Sequence, residues 1–176
     1  RHDSLADRTV LIVGYGGIGA AVERRLTGFE ATVIRVASRA RDGVHGADEL
    51  PDLLPRADVV VLCTPLTEQT RGLVDAAFLA RMRDNALLVN VARGRVVDTD
   101  ALLAELCSGR LRAALDVTDP EPPPPDHPLW TAPGLLLSPH VGGNSTAFEP
   151  RVKRLIVEQL TRYASGQPLQ HVVHQS

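Results

Sequence analysis

The feature that most constrains this chain is a glycine-rich turn between an apolar run and an amphipathic helical pattern. The run from Thr9 to Gly14 is continuously apolar after its first residue, which is typical of a strand buried on both faces of a sheet. The turn that follows has the spacing G-x-G-x-x-G over Gly14–Gly19. Beyond it, apolar side chains recur at a spacing of four, at Ile18, Val22 and Leu26. This order of strand, glycine turn and helix is the context that a dinucleotide-binding turn requires.

Each glycine of the turn has a separate physical task in such a site. Gly14 permits the tight turn, Gly16 lets the backbone approach a pyrophosphate, and Gly19 allows the helix to pack closely on the strand. The phosphates would lie on the exposed amides at the helix N-terminus, where the helix dipole favours anions. The remaining members of the predicted site are Tyr15, Gly17 and Ile18. The alternative is an ordinary turn that happens to contain three glycines.

The rest of the chain alternates strand and helix patterns. Besides the strand before Gly14, apolar runs predict five strands, at residues 31–37, 58–63, 86–92, 112–117 and 135–138. Helical patterns cover residues 48–54, 76–82 and 145–165, and Asp75 is placed to cap the second of these. A further helix begins at Asp98 or Asp100 and ends before Gly109. Such alternation indicates right-handed crossovers and a parallel sheet. We therefore predict an α/β fold with a doubly wound parallel sheet of six strands in the order 3-2-1-4-5-6.

The composition of the chain argues against several classes of protein. The chain has 176 residues, of which 44% are hydrophobic and 23% charged, as expected for one globular domain. Its formal net charge of −2 provides no general electrostatic footprint for nucleic acid. No apolar run approaches the roughly 20 residues that a membrane span needs. The two cysteines, Cys63 and Cys107, do not form a disulfide framework, and we expect both to be buried reduced thiols of a cytoplasmic protein.

The residues after the second predicted strand bear on the choice of dinucleotide. An NAD site usually has an acidic residue there, which bonds the ribose 2′-hydroxyl. Between Glu30 and Asp42 this sequence has no acidic residue, and the strand is followed by Ser38, Arg39 and, after one alanine, Arg41. Serine and arginine would bind a 2′-phosphate, so this loop favours NADP. The alternative is a basic loop that only contacts solvent.

Three polar residues follow predicted strands at the edge where a doubly wound fold places its chemistry. Arg93 follows the fourth strand, Glu121 follows the fifth, and His140 follows the sixth. Histidine is suited to proton exchange near neutral pH, and a neighbouring carboxylate would orient the imidazolium. Arginine can hold a carboxylate and polarise a ketone. Together the three residues indicate carbonyl reduction, although each one taken alone has an ordinary structural explanation.

Five segments match, in order, those of the D-isomer-specific 2-hydroxyacid dehydrogenases, and the chain resembles the nucleotide-binding domain of that family over nearly its whole length. The segments are Gly14–Gly19, Thr64–Thr67, Asn90–Gly94, Leu115–Val117 and Pro139–Gly143. The resemblance implies a Rossmann fold in which Arg93 binds substrate and polarises its carbonyl, His140 is the acid/base, and Glu121 is the partner of His140. It implies that Asp116 holds the nicotinamide end of the cofactor. The other cofactor-binding residues that it implies are Thr64, Pro65, Thr70, Val91, Ala92, Arg93, His140 and Gly142, with no metal.

The basic loop at Ser38 and Arg39 resembles that of the NADP-preferring glyoxylate and hydroxypyruvate reductases within the family. The expected reaction is hydride transfer between NADP (NAD is possible) and a small 2-oxo or 2-hydroxy acid, in a protein that is a homodimer when full length. Residues 1–144 would form the dinucleotide-binding domain, and residues 145–176 a helix and tail that return to a substrate domain. Family members build most of that domain from residues before the glycine turn, so it is expected to be largely absent from this chain, which alone would be inactive.

The alternative function is a dinucleotide-sensing binding protein, similar to the corepressors that resemble this family and keep the same three polar residues. Oxidation of NADPH by glyoxylate or hydroxypyruvate would distinguish the enzyme from the sensor.

Overall fold

The computed structural model describes residues 4–170 and residue 172, and its centre is one sheet of six parallel strands. The strands are β1 (Thr9–Val13), β2 (Thr32–Val36), β3 (Val59–Leu62), β4 (Leu87–Asn90), β5 (Arg112–Leu115) and β6 (Leu135–Leu137). The α-helices are α1 (Gly17–Leu26), α2 (Leu50–Leu53), α3 (Ala76–Arg81), α4 (Thr99–Cys107) and α5 (Phe148–Ala164). Short 3₁₀ turns extend α1 and flank α2. The predicted α/β class with a doubly wound parallel sheet is confirmed.

The strand order in the sheet is β2-β1-β3-β4-β5-β6. Val59–Leu62, which the sequence placed third and outermost, lies between β1 and β4. The outer position beside β2 is occupied by a single parallel bridge between Val36 and His45. If the bridge at His45 is counted as the third strand, β3, β4 and β5 become strands four, five and six. The order then reads 3-2-1-4-5-6, and β6 is one further strand after it. The segment between Val36 and His45 is too short for a crossover helix, which explains why only a bridge forms there.

Apolar residues fill both faces of the sheet. On one face, Leu11 and Val13 of β1 belong to a large buried cluster that also contains residues of α2, α3 and α4. On the other face, Val10 and Ile12 pack with Val61 and with partly buried side chains of α1. Strand residues therefore alternate between two helix layers, as a doubly wound fold requires. This packing fixes the carboxyl ends of the strands at one edge of the sheet.

Two aspartates cap helices where the sequence suggested caps. The Asp75 carboxylate accepts a hydrogen bond from the Phe78 amide (2.8 Å), and α3 begins at the next residue. The Asp98 carboxylate accepts one from the Ala101 amide (3.1 Å), so Asp98 rather than Asp100 is the cap of α4. A capping side chain satisfies one of the amides that a helix N-terminus leaves unpaired.

The chain divides into two compact units, one ending at Pro139 and the other beginning at His140. Residues 140–144, which we assigned to the dinucleotide-binding domain, fall in the second unit. The helix of that unit begins at Phe148 rather than Ser145, because the Phe148 amide bonds the Ser145 carbonyl (2.9 Å) in a turn. None of the residues of α5 is buried. The part of the predicted tail beyond Gln170 lies outside the described residues, apart from Val172.

The two cysteines have different surroundings. Cys63 is half-buried, and burial raises the pKa of its thiol to about 11. Cys107 is exposed at the last position of α4, so the prediction that both thiols are buried is wrong for this residue. No helix in the described part of the chain is both long and apolar enough to cross a bilayer.

Candidate functional site

The glycine turn lies at the carboxyl end of β1, between β2 on one side and β3 on the other. The amides of Gly14 and Tyr15 both donate to the Val36 carbonyl, at 2.9 and 2.8 Å. Gly14 has a φ of +99°, and a Cβ at this position would stand 2.6 Å from backbone atoms of Cys63 and Thr64. Only glycine fits there, because the turn needs both the positive φ and the close approach of β3.

The other two motif glycines differ from each other in what surrounds them. A Cβ on Gly19 would stand 2.8 Å from the Gly14 carbonyl oxygen, so Gly19 is required by the packing of α1 on the turn. A Cβ on Gly16 would meet no atom within 4 Å. Gly16 is also the N-cap of α1 and provides no side-chain cap. The fold therefore leaves open space before an uncapped helix N-terminus, and this arrangement fits a dinucleotide pyrophosphate.

Tyr15 is held by a charged cluster that the sequence did not reveal. Its hydroxyl donates to the Glu23 carboxylate, and Arg35 Nε donates to the two oxygens of the same carboxylate at 2.8 and 3.0 Å. The Arg35 guanidinium also lies 5.7 Å from the centre of the Tyr15 ring. The hydrogen bond from Arg35 is the main cause of a lowered pKa of Glu23. The acidic residue that contacts the turn is thus neutralised by an arginine.

The basic loop after β2 lies beside the glycine turn. Arg41 Nη2 donates to the Tyr15 carbonyl at 2.6 Å, and its guanidinium lies 6.0 Å from the Tyr15 ring centre. Ser38 and Arg39 are exposed. The Arg39 side chain has neither a hydrogen bond nor an ion pair among the described residues. The structure therefore leaves Arg39 available to an anion and uses Arg41 to join the loop to the turn.

The segment after β3 approaches the turn from the other side. The Thr70 hydroxyl donates to the Pro65 carbonyl (2.6 Å) and accepts from the Thr67 amide (2.8 Å), so it organises the loop from within. The hydroxyl oxygen of Thr64 is buried and has no hydrogen-bond partner among the described residues. A buried hydroxyl without a partner needs an explanation such as a bound ligand or water.

A buried asparagine shapes the turn that carries Arg93. Asn90, at the end of β4, is 1% exposed; its side chain accepts from the Ala92 amide (2.9 Å) and donates to the Arg93 carbonyl (3.1 Å). Gly94 packs directly on the next loop, because a Cβ there would stand 1.8 Å from the Thr118 carbonyl oxygen. These contacts bring the Arg93 segment and the loop leading to Glu121 together.

Asp116 lies at the carboxyl end of β5 between two neighbouring strands. Its amide donates to the Asn90 carbonyl at 3.0 Å, on the β4 side. On the β6 side, the Ser138 amide donates to the Leu115 carbonyl at 2.9 Å, and the Ser138 hydroxyl donates to the Asp116 carboxylate. Both residues are half-buried.

The three residues predicted to carry chemistry are all exposed. Arg93 and Glu121 lie in the first unit, where Arg93 Nη1 donates to the Ala92 carbonyl at 2.6 Å. His140 is the first residue of the second unit and has a φ of +53°, an uncommon conformation for a residue with a side chain. Of the remaining predicted cofactor residues, Val91 and Pro65 are exposed, Ala92 is buried, and Gly142 belongs to the second unit.

Comparison with known proteins agrees with this geometry. Residues 1–142 match the model of the NAD binding domain of D-isomer specific 2-hydroxyacid dehydrogenases. The chain belongs to this family. A glyoxylate reductase from Korarchaeum cryptofilum is 38% identical over 174 residues, which cover 96% of this chain and 52% of that protein. A human glyoxylate reductase/hydroxypyruvate reductase is 34% identical over 172 residues, which cover 94% of this chain and 52% of that protein. The chain thus spans about half the length of the curated relatives that it matches.

Solved members of the family have the same fold but differ in cofactor. A D-isomer specific 2-hydroxyacid dehydrogenase from Xanthobacter autotrophicus, in complex with NADPH and MES, is 36% identical with a TM-score of 0.86 and covers 99% of this chain and 74% of its own. An NAD-dependent formate dehydrogenase from Staphylococcus aureus, in complex with NAD, is 30% identical with a TM-score of 0.78 and covers 98% and 54%. Family membership therefore establishes a dinucleotide-binding domain and leaves the choice between NAD and NADP to the residues of this chain.

Sequence reasoning missed several residues that shape the site. Asn90 carried a usable signal, since it is a polar residue inside an apolar strand pattern. The others had no local signal, because their partners are distant in sequence; they are Glu23, Arg35 and Ser138. Arg41 was predicted as part of the basic loop, but its bond to the Tyr15 carbonyl was not.

Proposed function

We propose that this chain binds NADP and supplies the cofactor half of a site that reduces small 2-oxo acids such as glyoxylate or hydroxypyruvate. The observation that carries the proposal is the open space at Gly16, in front of the uncapped α1. The exposed Arg39 supports it, because Arg41 joins the loop that carries Arg39 to the glycine turn. Family membership supports the reaction class. The resemblance to glyoxylate and hydroxypyruvate reductases also favours a cytoplasmic homodimer.

The predicted binding residues divide the dinucleotide among the strand ends. The amides of Gly17 and Ile18 would receive the pyrophosphate, because they lie in the first turn of a helix without a side-chain cap. The Gly16 amide donates to the Gly14 carbonyl at 2.9 Å and closes the turn itself. Ser38 and Arg39 would bind the adenosine 2′-phosphate, since the nearby Glu23 is already paired with Arg35 and does not repel it. Asp116 would accept a hydrogen bond from the nicotinamide carboxamide. Thr64 and Pro65, which follow β3, would border the nicotinamide ribose. The turn after β4, with Val91 and Ala92, would border it as well.

When bound, the cofactor supplies the hydride that reduces the ketone carbon. Arg93 is suited to hold the substrate carboxylate in a bidentate pair and to polarise the ketone oxygen. His140 would deliver the proton that this oxygen takes up during reduction, and Glu121 would orient the imidazolium. Asn90 would keep the Arg93 turn rigid, because it bonds the backbone on both sides of that turn.

The preference for NADP is tested by titrating NADPH and NADH into the chain and into its Arg39→Ala variant. A charge-assisted hydrogen bond contributes about 1.5–3 kcal/mol, so the wild-type chain is expected to bind NADPH roughly ten- to a hundredfold more tightly. Arg39→Ala should remove most of this preference and leave the affinity for NADH nearly unchanged. Arg56→Ala, which removes an exposed arginine next to the amino end of β3, is the matched control and should change neither affinity. Equal affinities in the wild type would contradict the NADP assignment.

A further inference from the structure

We infer that Ser138 is a positioning residue that fixes the Asp116 carboxylate for recognition of the nicotinamide end of the dinucleotide. The inference rests on the proposed function and deepens it, because it names a residue that neither the motif nor the resemblance assigns to the site. It also divides the ligand into two parts that can be tested separately.

The geometry begins with the register of the last two strands. In the parallel pair β5–β6, Leu115 lies opposite Leu137. The next residue of each strand is therefore Asp116 on one side and Ser138 on the other, at the same level and at the carboxyl edge of the sheet. The Ser138 amide bonds the Leu115 carbonyl (2.9 Å), which holds the two backbones together at this level. The backbone pairing of β5 and β6 thus places the Ser138 side chain beside Asp116.

The side-chain contact is specific in direction. The Ser138 hydroxyl donates to Oδ1 of Asp116, and both side chains are half-buried. A hydroxyl that donates to one carboxylate oxygen favours the ionised form and restricts rotation of the group about its last torsion. The backbone of Asp116 is fixed as well, since its amide donates to the Asn90 carbonyl at 3.0 Å. Ser138 therefore holds the carboxylate itself, and the bond to Asn90 holds the backbone that carries it.

An oriented carboxylate is useful at this place because a carboxamide presents N–H donors in a plane. A carboxylate that must first be ordered loses part of the binding free energy as side-chain entropy, whereas a pre-oriented one does not. Ser138 would consequently affect recognition of the nicotinamide and leave recognition of the adenosine half unchanged. The adenosine half would lie toward the opposite edge of the sheet, near the glycine turn and β2, which the strand order separates from β5 and β6.

The test compares two ligands on three proteins: the wild-type chain, Ser138→Ala and Ser138→Thr. The ligands are NADP⁺ and 2′-phospho-ADP-ribose, which lacks only the nicotinamide; NAD⁺ and ADP-ribose replace them if that pair binds more tightly. Ser138→Ala is expected to weaken NADP⁺ binding about five- to tenfold, as loss of one hydrogen bond predicts, and to leave 2′-phospho-ADP-ribose unchanged. Ser138→Thr keeps the hydroxyl and should restore NADP⁺ binding to within about twofold.

Several results would overturn the inference. If Ser138→Ala weakens both ligands equally, Ser138 acts only through the fold. If it weakens neither, or if Ser138→Thr behaves as alanine does, the hydroxyl does not position Asp116. Equal affinity of the wild-type chain for both ligands would also overturn it, since the nicotinamide would then contribute nothing. Failure of the proposed function is distinguishable: if the NADP preference is wrong, the NAD⁺ pair binds at least as tightly and the comparison is made with it, and if dinucleotide binding is wrong, the wild-type chain binds none of the four ligands.

Discussion

At the scale of single residues, the glycines of the motif meet different surroundings. Gly14 and Gly19 stand against backbone atoms at distances that exclude a Cβ, so the fold itself requires them. Gly16 stands in open space and has no such requirement. Gly16 also precedes the uncapped N-terminus of α1, so its open space is accessible to a phosphate that approaches the helix.

Substitution of these glycines should therefore separate stability from binding. Gly14→Ala is expected to lower the free energy of unfolding by about 2–4 kcal/mol, because its φ is strained for alanine and its Cβ meets β3. Gly16→Ala should change stability by no more than about 0.5 kcal/mol and weaken dinucleotide binding at least about tenfold. Urea denaturation and ligand titration measure the two effects.

Gly28→Ala is the control for this series, since a Cβ on Gly28 also meets no atom within 4 Å and the residue lies beyond the far end of α1. It should leave both stability and binding nearly unchanged. Tight binding by Gly16→Ala would mean that the phosphates do not approach this turn.

At the scale of elements, Arg110 joins two helices. Its guanidinium donates to the Leu79 and Met82 carbonyls at the end of α3, at 2.6 and 2.8 Å, and to the Glu105 carboxylate of α4 at 2.6 Å. The carbonyls at a helix C-terminus have no partners within the helix, so a fixed cation there satisfies groups that would otherwise be unpaired. The contact keeps α3 and α4 together on one face of the sheet.

Removing the Arg110 side chain should destabilise the fold. Arg110→Ala is expected to lower the free energy of unfolding by about 2–4 kcal/mol, because several charge-assisted hydrogen bonds of a largely buried group are lost. Arg56→Ala, an exposed arginine, should change it by less than about 0.5 kcal/mol. Chemical denaturation at neutral pH measures both variants, and similar values for the two would contradict a joining role for Arg110.

The same contact predicts a dependence of stability on pH. The hydrogen bond from Arg110 lowers the pKa of Glu105 below its ordinary value, and Glu105 therefore stabilises the fold when it is ionised. Since the folded pKa is depressed, this contribution is complete above the unfolded pKa of about 4.3 and disappears as pH falls through the folded value. Glu105→Gln should thus be less stable than wild type at pH 7, and the difference should shrink below about pH 4. A difference that is constant between pH 7 and pH 3 would contradict this.

Elements with local signals were predictable from sequence, and pairings between distant segments were not. The strand boundaries agree within two residues, and Asp75 caps its helix as expected, because apolar periodicity and capping depend on neighbouring residues. Val59–Leu62 was expected at the outer position beside β2, but the segment at His45 takes that position with a single bridge. Val59–Leu62 lies between β1 and β4 instead, and no local pattern shows this. The contact between Ser138 and Asp116 depends on the register of two strands, which no local pattern specifies.

At the scale of the whole molecule, the groups proposed for chemistry are open to water. Arg93, Glu121 and His140 are all exposed, and the last of them belongs to the second unit. Enzymes of this kind gain rate from holding the substrate and from excluding water, and positioning can supply about 7–11 kcal/mol of the barrier. A dinucleotide could therefore bind at the glycine turn without these three groups being shielded from water, whereas turnover would need that shielding.

We expect residues 1–176 to bind NADPH and to reduce glyoxylate or hydroxypyruvate slowly or not at all. The exposed position of the three polar residues is the reason, since it leaves the reacting groups in bulk solvent. The rate of NADPH oxidation over a range of substrate concentrations, compared with and without the protein, measures this. A kcat/KM in the ordinary range of about 10⁴–10⁸ M⁻¹s⁻¹ would show that these residues already form a complete site.

The central claim is that a nicotinamide dinucleotide binds across the carboxyl ends of the strands at the glycine turn. Titration of NADP⁺ into the ¹⁵N-labelled chain, followed through the backbone amide resonances, tests it most directly. The account predicts saturable shifts of the amides of Gly16, Gly17 and Ile18, together with those of Ser38 and Arg39. It would be contradicted if these resonances stay fixed while others shift, for example those of the cavity of about 530 Å³ at the amino ends of the strands, lined by Arg8, Arg83 and Arg112.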